Sequence, residues 1–82
     1  MIIAEYRGEL AALCSRRSEE LEAGTSNDVL KHIKKTYGTE TYKNAKRMLI
    51  TVDGESILLK QVFKTKLSDG QRVSFLPICG GG

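Results

Sequence analysis

The chain has no tryptophan, a single proline (Pro77), a single histidine (His32) and two cysteines, and only 6% of its 82 residues are aromatic. Each scarcity closes off a class of function. His32 stands beside Ile33 with no second or third donor near it in sequence, so a histidine-based metal centre has nothing to be built from, and no metal site is expected. Cys14 and Cys79 belong to no Cys-x-x-Cys pair and no Cys/His cluster, which points to two free thiols in a reducing compartment. Cys14 reads as a small buried hydrophobe. No apolar run approaches the ~18 residues of a membrane helix. The start, Met-Ile-Ile-Ala-Glu-Tyr-Arg, lacks the positive segment and apolar run of a secretory signal, so the expected location is cytoplasmic, with no membrane partner. There is also no Gly-x-x-x-x-Gly-Lys-Ser/Thr loop and no acidic Mg²⁺ cluster, so nucleotide chemistry would have to come from another protein.

A chain of 82 residues makes one domain, because it buries only about 60–65% of its unfolded surface. A deep cleft with a full complement of acid, base and nucleophile needs more walls than this. The chain is therefore expected to be acted upon, not to be an enzyme itself. Its net charge of +3 comes from thirteen basic and ten acidic residues, interspersed. The basic residues thicken at Lys31, Lys34 and Lys35, at Lys43, Lys46 and Arg47, and at Lys60, Lys64, Lys66 and Arg72. Such a face suits an acidic protein partner. Tyr6, Tyr37 and Tyr42 are scattered and do not interleave with the basic residues as a base-stacking platform requires, so no nucleic-acid partner is expected.

Along the chain, Ile2 to Tyr6 reads as a first strand and Glu19 to Ala23 as a second, with Leu10 to Cys14 open to a helical turn. Thr25 and Asp28 have capping-box spacing ahead of Val29, Leu30, Ile33 and Tyr37, which share one face of a helix closed by Gly38. Residues 39–46 read as a polar connection. Arg47 to Val52 is a strand closed by an Asp53-Gly54 turn, and Ser56 to Leu59 is a short strand across it. Val62, Phe63 and Leu67 look like core contacts from a loop-rich stretch. After the Ser68-Asp69-Gly70 turn, Arg72 to Leu76 is the last strand, with Val73 and Phe75 on one face. The pattern implies an α+β domain: a mixed sheet of four to five strands with one main helix packed across it.

Beyond Leu76 the sequence runs Pro77-Ile78-Cys79-Gly80-Gly81-Gly82. Pro77 lacks the N–H that a continuing ladder needs, and three glycines present no Cβ, so a slender, flexible tail is expected over residues 79–82, on a domain of residues 1–78. An α-carboxylate is ionised at neutral pH, its pKa being about 3.5. Delivered into a partner's active site, the Gly82 carboxylate could attack the α-phosphate of ATP, and the resulting acyl-adenylate could be opened by sulfur.

The stretch Leu67-Ser-Asp-Gly-Gln-Arg-Val-Ser-Phe-Leu-Pro-Ile-Cys-Gly-Gly-Gly82 resembles the C-terminal signature of the MoaD/ThiS sulfur carriers, which are ubiquitin-like β-grasp proteins. The Leu76-Pro77 step after Phe75 is closer to the molybdopterin synthase small subunit than to the thiazole-forming carrier, and Thr25 to Ile33 occupies the place of the family's single helix. The resemblance implies that Gly82 carries the adenylate and then the thiocarboxylate, with Gly81, Gly80 and Cys79 completing the tail. It also places Phe75, expected in the core, and Leu76 just before the tail; strand alternation makes Leu76 and neighbouring Arg72 candidates for contact with partner enzymes, together with Phe75, Pro77 and Ile78 of the last strand and tail. No cofactor would be bound by the chain. ATP and Mg²⁺ would be used by an activating adenylyltransferase, the sulfur would come through a sulfurtransferase or cysteine desulfurase, and a large catalytic subunit would use it, most simply in molybdopterin synthesis. Two departures stand out: the third glycine, Gly80, and the thiol of Cys79 three residues from the end. Conjugation of Gly82 to lysines, or a non-covalent binding module with an idle tail, are the competing readings.

Overall fold

The structure, a computed structural model, describes residues 1–58, 61 and 65–78. Strand β1 (Ile2–Tyr6) alternates as its sequence does, burying Ile2, Ala4 and Tyr6 while Ile3 and Glu5 stay half-exposed. Helix α1 (Glu9–Cys14) buries Leu10 and Cys14 and ends on Ser15 in the left-handed region, and β2 (Ser18–Leu21) returns antiparallel to β1. Burial pushes the Cys14 thiol up to about 11, so it is an inert packing residue.

Helix α2 (Ser26–Tyr37) starts where the spacing says it should. The Asp28 N–H donates to Thr25 Oγ1 at 3.2 Å, and Asp28 Oδ2 accepts from the N–H groups of Thr25 and Gly24, both at 3.0 Å. The Gly24 N–H is the largest of the influences holding the Asp28 carboxyl below its usual range. Gly38, at φ +99, ends this helix and opens a further one, α3 (Thr39–Lys46). The polar connection expected at 39–46 is thus helical, and with α1 the described residues hold three helices instead of one. Helix α3 escapes a periodicity reading because Thr41 and Ala45 are its only buried residues; it is held by docking on α2, where Thr41 Oγ1 donates to Tyr37 O at 3.1 Å. Lys34 of α2 and Lys46 of α3 both lie over the Tyr42 ring, 5.2 and 4.6 Å from its centroid.

Strands β3 (Leu49–Val52) and β4 (Glu55–Ile57) form a hairpin whose two turn residues both have positive φ, Asp53 at 48° and Gly54 at 87°, the conformation that suits the twist of the flanking strands. Strand β3 begins two residues later than expected because Arg47 and Met48 complete the end of α3, and β2 and β4 are shifted by about one residue from the sequence reading. Leu59, Val62 and Phe63 lie outside the described residues. Leu67 is packed on the core, its N–H donating to Gly24 O at 2.9 Å.

The last strand, β5 (Arg72–Leu76), occupies the middle of the sheet, whose order is β2-β1-β5-β3-β4. It runs parallel to β1 and antiparallel to β3, so the sheet is mixed and five-stranded. Val73 and Phe75 face the same way as Ala4, Tyr6 and Ile50 and join Val29, Leu30 and Ile33 of α2 in one buried core. One face of the sheet is therefore covered by helix and the other is open.

Candidate functional site

Because β5 is central, the chain leaves the body from the middle of the sheet, not from an edge. The exit is shaped by Gly8, whose φ of +61 turns the chain after β1 and which lies against Pro77: a Cβ placed there would sit 3.4 Å from Pro77 Cγ. Pro77 and Ile78 are exposed and Leu76 is half-buried. Phe75, grouped by the sequence reading with the partner-contact residues, is fully buried, and its role is in the core. Cys79, Gly80, Gly81 and Gly82 lie outside the described residues.

Register assembles the open face around this exit. Leu76 pairs with Leu49, which is 39% exposed, and one residue beyond the Ile50–Ile57 pair the hairpin ladder brings Leu58, 59% exposed, to the same end. With Ile78, 64% exposed, these side chains form an apolar border at the root of the tail. Exposed Leu and Ile on a small protein are unremarkable singly; collected beside one exit they make a candidate contact surface. Leu49 and Leu58 were not singled out in the sequence, since strand pairing alone tells which leucines share a row.

Toward the centre of the same face lies Glu5. Its Oε2 accepts from Arg72 Nη1 at 2.8 Å, and its Oε1 accepts from Arg7 Nε and Nη2 at 3.2 and 3.1 Å and from Ser74 Oγ at 3.3 Å. Desolvation alone would raise the Glu5 carboxyl, but the Arg7 and Arg72 guanidiniums outweigh it and hold it below the usual range. Arg72, expected to meet a partner, is thus already engaged with Glu5.

A second carboxylate organises the covered side. Glu19 Oε2 accepts from Tyr6 Oη at 2.6 Å, Tyr37 Oη at 2.8 Å and His32 Nε2 at 3.2 Å, while Oε1 faces Arg16 Nη1 at 3.3 Å. An ionised carboxylate only accepts, so His32 donates from Nε2. Burial would raise this carboxyl, yet the two tyrosine hydroxyls lead the effects that hold it below the usual range. Burial first, and then the bond to Glu19, push Tyr37 up to about 12 and Tyr6 further in the same direction. Two of the three tyrosines that look scattered in sequence, Tyr6 and Tyr37, converge here, their rings edge-on at 6.3 Å. Among the described residues no buried side-chain N or O atom lacks a partner, and the bonds from Tyr6, Tyr37 and His32 make Glu19 a structural tie between β1, β2 and α2. Among the described residues no group of three His, Cys, Asp or Glu could hold a metal ion, and no helix is long and apolar enough to cross a membrane.

A mixed sheet with its last strand at the centre, a helix across one face and the other face open defines a ubiquitin-like β-grasp protein. Solved structures share this fold. The SAMP1 of Haloferax volcanii superposes with a TM-score of 0.75 at 14% identity, over 99% of this chain and 98% of that one. A putative molybdopterin converting factor, subunit 1, from Pyrococcus furiosus gives 0.74 at 22% identity, over 93% and 94%. The Haloferax volcanii HVO 2177 protein gives 0.75 at 17% identity, over 99% and 85%. No curated protein matches the chain. The sequence matches the ThiS family over residues 2–82, and the chain belongs to that family. It is a small protein of the ThiS family with a ubiquitin-like fold.

Proposed function

We propose that this protein is a sulfur carrier whose Gly82 carboxylate is adenylated by an ATP-dependent activating enzyme and converted to a thiocarboxylate. The observation that carries the reading is the family match extending through residue 82, on a fold whose central strand leads the chain out beside an exposed apolar border. In the first step a carboxylate oxygen of Gly82 attacks the α-phosphorus of ATP and pyrophosphate leaves. A persulfide sulfur on a sulfurtransferase or cysteine desulfurase then attacks the acyl carbon and AMP leaves. A second thiol cleaves the S–S bond, is oxidised to a disulfide, and frees the thiocarboxylate. ATP and Mg²⁺ belong to the activating enzyme, and the carrier contributes a reachable carboxylate and a docking face of Leu49, Leu58, Leu76 and Ile78. Molybdopterin assembly with a large catalytic subunit is the favoured route, supported by the likeness to a molybdopterin converting factor subunit and by the Leu76-Pro77 step.

Intact mass spectrometry tests this. After incubation with ATP, Mg²⁺, a sulfur donor and an activating enzyme from the host, the protein should gain about 16 mass units as one oxygen is replaced by sulfur, and a Gly82-deleted chain should not. An unchanged mass with every such enzyme would overturn the reading. The likeness to the small archaeal modifier protein 1 of H. volcanii favours a second outcome, lysine-linked conjugates that also vanish with Gly82.

A further inference from the structure

Between the end of β1, the start of α1 and the start of β2 lies an open notch of about 440 Å³, lined by Glu5, Tyr6, Arg7, Gly8, Ala11, Arg17 and Ser18. Its Gly8 wall is the residue that backs onto Pro77, so the notch adjoins the tail exit on the side away from the leucine border. Its charge is one-sided. Glu5 is the single carboxylate in the lining, and it already accepts from both Arg7 and Arg72. Arg17 immediately precedes β2, where its carbonyl accepts from the Tyr6 N–H at 2.7 Å; it is exposed and pairs with no carboxylate among the described residues. Three guanidiniums thus stand against one carboxylate, and the Arg7 side chain is 59% exposed and still has donors to spare.

We propose that this notch receives a carboxylate side chain of the protein that activates Gly82, and so selects that partner. The inference rests on the carrier reading above and adds to it the chemistry of recognition. Any protein that encloses the tail must cover its exit, and the notch opens there. The leucine border offers area that many partners could bury, whereas an anion seated between Arg7 and Arg17 can be refused to a partner presenting a cation or an apolar group at that point. Because the pairs form at a partly exposed rim, they act on encounter and on salt dependence more than on the chemical step. Arginine suits this role because its planar fork meets a carboxylate with two donors.

The test is pyrophosphate exchange by the host's activating enzyme, with wild type, Arg17→Glu, Arg7→Gln and the double variant as carrier, each checked for an unchanged amide NMR spectrum away from the notch. The double variant should raise KM for the carrier about tenfold or more, leave kcat within about twofold, and flatten the dependence of KM on salt. Arg17→Glu should act in the same direction by itself, which covers the case in which Arg7→Gln disturbs Glu5. A double variant with KM unchanged overturns the notch proposal while leaving the carrier reading intact. Wild-type protein that supports no exchange with any activating enzyme overturns the carrier reading itself, and this inference with it. If deleting residues 79–82 shifts the side-chain N–H resonances of Arg7 and Arg17, the notch holds the protein's own terminal carboxylate, and the proposal of a partner's side chain is overturned.

Discussion

Glu5 and Glu19 sit on neighbouring strands of one hairpin but on opposite faces of the sheet, since Glu5 pairs with Ser18 and Glu19 with Ala4. Both carboxyls are held below their usual range, yet by different company. Glu19, 11% exposed, is surrounded mainly by tyrosine hydroxyls and a histidine from two elements of the covered side, β1 and α2. Glu5, 21% exposed, is gripped by two guanidiniums on the open side. The first arrangement satisfies donors that would otherwise be buried without partners, and so belongs to stability. The second leaves positive charge over at the surface, and so belongs to recognition.

Removing each carboxylate should separate the two roles. Glu19→Ala should have the largest effect, a loss of ~3 kcal/mol by urea denaturation, because the Tyr6 and Tyr37 hydroxyls lose their common acceptor. A loss below about 1 kcal/mol would show that water replaces the carboxylate and that the cluster is no structural tie. Next comes pH. A carboxyl lowered in the folded state stabilises the fold above its unfolded pKa, about 4.3, and that contribution fades as pH falls through the folded value. Stability should therefore be level above about pH 5 and decline below it, and Glu19→Gln should remove more of that decline than Glu5→Gln. Equal changes in the two acid-unfolding curves would erase the distinction. The smallest effect on folding is expected from Glu5→Gln, less than about 1 kcal/mol by thermal melting, since exposed ion pairs contribute little. The same variant frees Arg7 and Arg72 and should lower the carrier's KM with the activating enzyme; a raised KM would mean that Glu5 itself is part of the contact.

Local features carried much of this fold in readable form. The Thr25/Asp28 capping box, the Asp53-Gly54 turn and the alternation of Arg72 to Leu76 each depend on residues a few positions apart, and each formed as its spacing requires. Helix α3 was hidden because its stability comes from contact with α2, and TETYKNAK has too little apolar content to show a face. The length of β3 was overestimated for the same reason, Arg47 and Met48 being taken by the end of that helix. At the site, the family signature pointed to Leu76, Pro77 and Ile78 at the exit. Nothing in it pointed to Leu49, Leu58, Arg7 or Arg17, which reach the exit through strand pairing and through the turn at Gly8.

What the sequence by itself determined is the set of elements with strong local signals, the family, and the residues of the tail, because caps, turns and periodicity are settled between near neighbours. Tertiary structure decided that the last strand lies at the centre beside the first, although their paired residues Ile3 and Arg72 are far apart in the chain. That pairing sorts Glu5 from Glu19, gathers the leucine border and sets the arginine notch against Pro77. With a side-chain period of two along each strand, the face a residue occupies is settled by its register with a distant partner, and register is a property of the folded sheet.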